Sequence, residues 1–266
     1  MAVLGQGTWR LGSGRHPAHE EVAALRLGLS LGMTLVDTAE MYGDGASERL
    51  VGRALNGRRD DAFLVSKVLP QHATRRGTIE ACEASLRRLD TDRLDLYLLH
   101  WRGQVPLEET VEAFDALLAA GWIRHWGVSN FDVADMTELL RVSDGTGIEC
   151  NQVLYNVAHR GIEHDLMPWC RSIGAPIMAY SPIEQGLLAQ HPVLTRIAAQ
   201  HGATAAQVAI AWVLAHDGVS AIPEAGTRHH VTENHAALDL SLTSDDLAAL
   251  DRAFPPPAAP RPLDVI

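Results

Sequence analysis

The 266 residues carry 22 Lys and Arg against 33 Asp and Glu, a formal net charge of −11. That balance argues against a nucleic-acid or anionic-membrane partner, since both require a basic surface. Hydrophobic residues make up 47% and charged residues 21%, ordinary for a globular chain with an ample core, and the length suits a single (β/α) barrel domain spanning 1–266, a fold of about 250 residues.

In chain order, short apolar runs alternate with amphipathic segments. Strands are expected at 3–4, 34–36, 63–66, 94–99, 123–128, 149–154, 176–179 and 219–222. Helical periodicity falls between them, at 46–55, 78–89, 107–120, 132–140 and 205–215, with a last helix at 244–254 and a Pro-rich tail at 255–262. In 78–89, for instance, Ile79, Cys82 and Leu86 recur at helical spacing. Glycines at 32, 121, 174, 202 and 218 stand where left-handed caps stop helices.

Eight strands alternating with helices point to a parallel sheet closed into a barrel. An open doubly wound sheet is the rival, but its dinucleotide fingerprint fails: Gly5-Gln-Gly7 is followed by Arg10 where the third glycine belongs. Cys82, Cys150 and Cys170 are odd in number and lack CxxC spacing, which reads as free thiols in a reducing cytoplasm. No secretory leader is evident, and the weakly polar stretch 205–215 is too short to span a bilayer.

Four polar residues close or closely follow the apolar runs of three neighbouring strands: Asp37, Tyr42, Lys67 and His100. Singly, each has a structural reading: a helix cap, a loop anchor, a solvated strand end, a satisfied core histidine. Strand ends on the carboxyl face of a barrel converge, however, so together they outline a proton-handling site. The histidines, among them His159 and His229-His230, lack zinc-like spacing, so no metal site is expected.

The chain resembles the aldo-keto reductase family over nearly its whole length. The matching stretches are Gly5-Gln-Gly-Thr-Trp9, Asp37-Thr-Ala-Glu-Met-Tyr-Gly43, Val65-Ser-Lys67, Leu94-Asp-Leu-Tyr-Leu-Leu-His-Trp101, Gly127-Val-Ser-Asn-Phe131, Asn151-Gln-Val-Leu-Tyr-Asn156, Ala179-Tyr-Ser-Pro182 and Ile222-Pro223 with Glu233-Asn234. The resemblance implies a (β/α)8 TIM barrel that binds NAD(P)H and reduces carbonyls, with Asp37, Tyr42, Lys67 and His100 as its catalytic tetrad. Tyr42 is then the proton donor, Lys67 lowers the phenol pKa, Asp37 holds Lys67, and His100 orients the carbonyl oxygen.

On the cofactor side the resemblance assigns Ser129, Asn130 and Gln152 to the nicotinamide carboxamide and Tyr180 to ring stacking. Ser181, Gly186 and Leu187 border the pyrophosphate, with Gly186 permitting close backbone approach. Glu224, Arg228, His230, Glu233 and Asn234 surround the adenosine end. Trp9, Trp101 and Phe131 line the substrate pocket, whereas Trp126 and Trp212 belong to the core.

Two departures from the family pattern stand out. Many members place a lysine for the 2′-phosphate of NADP where this chain has Glu224, and an arginine where it has His230. Both changes lean toward NADH or relaxed use, with Arg228 as a cation able to meet the phosphate. The family's opening hairpin is also missing before the first strand, so either the barrel floor is less well plugged or the native start lies upstream of Met1. Short loops imply an open site for small aldehydes, dicarbonyls such as methylglyoxal, or broad carbonyls. A cytoplasmic monomer without nucleic-acid or membrane partners is expected. A non-catalytic nucleotide-sensing subunit is the alternative, though such a role would tolerate loss of the tetrad. A metal- or phosphate-dependent barrel lyase is a third reading, weakened by the lack of clustered metal ligands.

Overall fold

The computed structural model describes residues 3–144 and 147–266. Strands and helices alternate as β1 (Gln6–Gly7), α1 (Ala18–Ser30), β2 (Leu35–Asp37), α2 (Ala46–Leu55), β3 (Phe63–Val68), α3 (Arg75–Leu89), β4 (Leu94–Leu99) and α4 (Leu107–Ala119). They continue as β5 (Ile123–Ser129), α5 (Val133–Val142), β6 (Ile148–Leu154), α6 (Leu166–Ser172), β7 (Ile177–Tyr180), α7 (Pro192–His201), α8 (Ala205–Leu214), β8 (Val219–Ala221), α9 (Arg228–Ala236) and α10 (Ser244–Ala253). Every strand pairs parallel with the next in chain order. Bridges from Leu4 to Ala221 and from Gly7 to Glu224 join the first strand region to the last, which closes the barrel.

That closure explains the Gly5-Gln-Gly7 sequence, which serves packing rather than phosphate binding. The Gly5 and Gly7 amides donate to the carbonyls of Ala221 and Pro223 at 2.8 and 3.1 Å. A Cβ on Gly7 would stand 2.7 Å from the Ile222 carbonyl oxygen. The first strand therefore lies at Gln6–Gly7 rather than at 3–4, and Leu4 contributes only a bridge. Met1, the residue on which the expectation about the native start turns, lies outside the described residues.

Side chains alternate across a strand, so residues of one parity face the barrel axis and the others face the helices. Leu35, Val65, Leu96, Leu98, Cys150, Met178 and Ile222 form the inner cluster. Val36, Leu64, Tyr97 and Leu99 belong to the larger cluster under the helices. Continuing the inner parity by two residues reaches Asp37, Lys67, His100, Gln152, Tyr180 and Glu224. β3, β5 and β7 run one or two residues past the apolar stretches read from the sequence, to Val68, Ser129 and Tyr180.

Glu48 on α2 anchors the strand that carries Lys67. Its carboxylate is fully buried, accepts from Ser66 Oγ at 2.7 Å, and pairs with Arg88 of α3 at 2.5 Å. Trp126 and Trp212 are buried in the core as expected. Among the described residues no single helix is long and apolar enough to cross a membrane.

Gly7→Ala is expected to force the seam apart, costing about 2 kcal/mol, or roughly 5 °C in Tm for a chain of this size. Thermal unfolding followed by circular dichroism measures it; an unchanged Tm would mean that the seam tolerates a side chain.

Candidate active site

Lys67, Asp37 and Tyr42 meet at the carboxyl mouth of the barrel. Lys67 Nζ donates to Asp37 Oδ2 at 2.7 Å, to the Thr38 carbonyl at 2.9 Å and to Tyr42 Oη at 3.1 Å. Those are the three donors an ammonium has, and Lys67 is 0% exposed. Asp37 Oδ1 accepts from Gln152 Nε2 at 2.8 Å, so both carboxylate oxygens are engaged. His100 completes the group, its ring centroid 5.8 Å from that of Tyr42 and 4.9 Å from that of Trp101.

Tyr42 reaches this position from the loop between β2 and α2. Thr8 Oγ1 donates to the Asp37 carbonyl at 2.9 Å, and Ser47 Oγ lies 2.8 Å from the Thr8 carbonyl and 3.1 Å from Thr38 Oγ1. These buried hydroxyls clamp both ends of the loop to Thr8, just after β1.

Electrostatics assign each group a protonation state. Burial works against the Lys67 ammonium, but the attraction of Asp37 and Tyr42 outweighs it, and the pKa rises above 10.5. Burial, with repulsion from Lys67, drops His100 from 6.5 to about 3, so the imidazole is neutral at physiological pH. For Tyr42 the lowering expected from Lys67 is present but loses. Burial pushes the phenol up, Lys67 pulls it down, Asp37 pushes it up again, and the balance lies above 10.0. A phenol that keeps its proton beside a fixed cation is a proton donor whose conjugate base is already compensated.

A cavity of about 530 Å³ opens over these groups. Asp37, Tyr42, His100, Ser129, Asn130, Gln152, Tyr180, Ser181, Glu224, Trp9 and Trp101 all line it. Tyr180 Oη donates to Asn130 Oδ1 at 2.9 Å, and Asn130 Nδ2 donates to the His100 carbonyl at 3.1 Å. Asn130 therefore uses its amide to fix the His100 backbone and the Tyr180 ring, in a left-handed conformation with φ of 57°. Gln152 likewise gives its amide protons to Asp37 and Met178.

Several expected positions lie outside the cavity lining. Phe131 is 0% exposed and packs in the core behind β5, outside the cavity lining, because the chain turns at Asn130 and carries the ring inward. Gly186 and Leu187 are also outside the lining, and Leu187 is 74% exposed. Gly186 has a φ of 93°, and a Cβ there would meet no protein atom within 4 Å. Arg228, His230, Glu233 and Asn234 lie on α9 beyond the cavity lining. Asn234 Nδ2 is buried without a hydrogen-bond partner.

Glu224 is not a lone carboxylate. Arg10 holds it through its backbone amide at 2.7 Å and Nε at 3.2 Å, across the seam between β1 and β8. Sequence reasoning missed Arg10, because its partner is 214 positions away. It also missed Met41, Val265 and Ile266, which line the cavity; an apolar Val-Ile pair after a Pro-rich run was the available signal.

The pattern described as the Aldo/keto reductase family matches residues 3–254. Methylglyoxal reductase YeaE of Escherichia coli is 52% identical over 100% of this chain and 95% of its own length. Glyoxal reductase of Bacillus subtilis is 33% identical over 94% of this chain and 88% of its own. An aldo/keto reductase from Klebsiella pneumoniae, solved in complex with NADP and acetate, superposes with a TM-score of 0.97 at 50% identity, covering 100% of this chain and 96% of that one.

With His100 neutral above about 3 and Tyr42 protonated to beyond 10, kcat/KM for carbonyl reduction should be flat from pH 5 to 9. An inflection near 6.5 in the pH–rate profile would show that His100 titrates there. The same depressed pKa has a stability consequence. Unfolded His100 takes a proton below 6.5 that the folded chain refuses until about 3, so stability is lost as pH falls through that window. His100→Gln should lose less Tm than wild type between pH 7 and 4.5.

Proposed function

The chain belongs to the aldo/keto reductase family and reduces carbonyls with NAD(P)H; we propose that its substrates are methylglyoxal and related small dicarbonyls, with Tyr42 as the proton donor. The observation that carries the catalytic reading is the buried Asp37–Lys67–Tyr42 chain opening beside His100 into one cavity. The substrate reading rests on the likeness to the methylglyoxal and glyoxal reductases and on an open mouth bordered by Trp9, Met41 and Trp101.

The chain's residues suit a nicotinamide cofactor. Ser129 and Gln152 present polar atoms at the ends of β5 and β6, Tyr180 offers a ring fixed by Asn130, and Asn234 offers its unpartnered amide at the adenosine end. When bound, the nicotinamide supplies the hydride for the carbonyl carbon. Tyr42 gives its proton to the oxygen on which negative charge develops. Lys67 stabilises the phenolate left behind, Asp37 keeps that ammonium in place, and neutral His100 donates a hydrogen bond that orients the carbonyl. All these residues come from one chain, in keeping with a monomer, and three buried free thiols suit the reducing cytoplasm.

Arg10 compensates the Glu224 charge, so the repulsion that would disfavour a 2′-phosphate is reduced, while exposed Arg228 begins α9 as a cation for it. We read cofactor use as relaxed, with NADPH accepted and NADH within about tenfold of it, a difference of about 1.4 kcal/mol. Comparing kcat/KM for the two cofactors on methylglyoxal tests this; a hundredfold preference for either overturns it.

Tyr42→Phe should lower kcat at least a hundredfold with little change in cofactor affinity. Aldehyde reduction at the wild-type rate would remove Tyr42 from the mechanism. In a carbonyl panel methylglyoxal should exceed aldose sugars in kcat/KM by about tenfold or more; equal values would refute the dicarbonyl assignment.

A further inference from the structure

The segment after α10 ends at the site. Leu263 packs on the core, and Val265 and Ile266 line the cavity at 62% and 54% exposure. Asp264 faces His159 Nδ1 at 3.0 Å, and the other ring nitrogen, Nε2, faces Glu184 at 3.3 Å. One imidazole thus stands between two carboxylates from distant parts of the chain.

Glu184 sits in the turn after β7. Asn156 donates to its carboxylate at 2.6 Å and to the Ser181 carbonyl at 2.9 Å. Within this turn Ser181, Glu184 and Gln185 have φ of 50°, 49° and 52°, the left-handed region that non-glycine residues avoid. Such a conformation persists when surrounding contacts over-determine it. The hold of Asn156 and His159 on Glu184 is such a contact. Ser181 and Gln185 of the same turn line the cavity, as do the residues after Asp264.

We propose that His159 is a positioning residue that ties the segment 263–266 to the turn 181–187, so that the carbonyl-side wall and the cofactor-side turn are held as one unit. This inference rests on the NAD(P)H reductase reading above. Its consequence is reciprocal coupling: whatever orders the turn also orders the wall, so disturbing either end weakens binding at both. Asp264 is the informative residue, because it lies on the wall segment and reaches the turn through His159. Its side chain is half exposed, so its replacement leaves the core packing intact.

The test is a double-mutant cycle of Asp264→Ala and His159→Ala in the full chain. NADPH dissociation constants come from quenching of tryptophan fluorescence, and KM and kcat from phenylglyoxal reduction. Each single variant should raise both the NADPH Kd and the phenylglyoxal KM about three- to fivefold, with kcat unchanged. The double variant should be no worse than either single one. The proposal is overturned if Asp264→Ala leaves the NADPH Kd at its wild-type value. It is equally overturned if the two losses add, since the segment and the turn would then act separately. A wild-type protein that shows no NADPH quenching would instead overturn the reductase reading, and this inference with it.

Discussion

A buried cation organises this molecule. The Lys67 ammonium has no exposure, and removing such an ion from water costs several kcal/mol unless its donors are met. Here Asp37, the Thr38 carbonyl and the Tyr42 hydroxyl meet all three. Each acceptor is itself held: Asp37 by Gln152, the 37–47 loop by the Thr8 and Ser47 hydroxyls, and β3 by the Glu48–Arg88 pair. The geometry of the site is thus the set of contacts that makes one charge tolerable inside a barrel.

The same charge and the same burial determine what the neighbours can do. His100, desolvated and repelled by Lys67, stays neutral at physiological pH and can only donate or accept hydrogen bonds as an uncharged ring. Tyr42 is pulled two ways, and burial prevails over the cation, so the phenol keeps its proton. Lys67 therefore does not make the phenol acidic at rest.

Around this rigid centre the mouth is assembled from parts far apart in sequence. Arg10 closes the seam on Glu224 and changes the meaning of a carboxylate that, alone, would repel a phosphate. The segment 255–266, in sequence a Pro-rich tail with a short apolar end, supplies cavity wall through Val265 and Ile266. The barrel provides chemistry, and these later additions shape access to it.

The sequence by itself determined the alternation of strands and helices and which polar residues gather at the carboxyl mouth of the barrel. The reason is local: a period-2 pattern places Asp37, Lys67, His100, Gln152 and Tyr180 on the inward face at strand ends, whatever the exact helix boundaries. Tertiary structure alone decided the rest. Phe131 looked like a pocket aromatic until the left-handed turn at Asn130 carried it into the core. Arg10 ruled out a nucleotide fingerprint at Gly5-Gln-Gly7, but only the seam showed why those glycines are there: a side chain on either would meet atoms closer than 3 Å. The partnership of Arg10 with Glu224, the grip of His159 on Asp264 and Glu184, and the direction of the Tyr42 shift depend on distances and burial between segments remote in the chain. Residue order carries periodicity, but neither charge compensation nor desolvation, and those two quantities exist only once the barrel has closed.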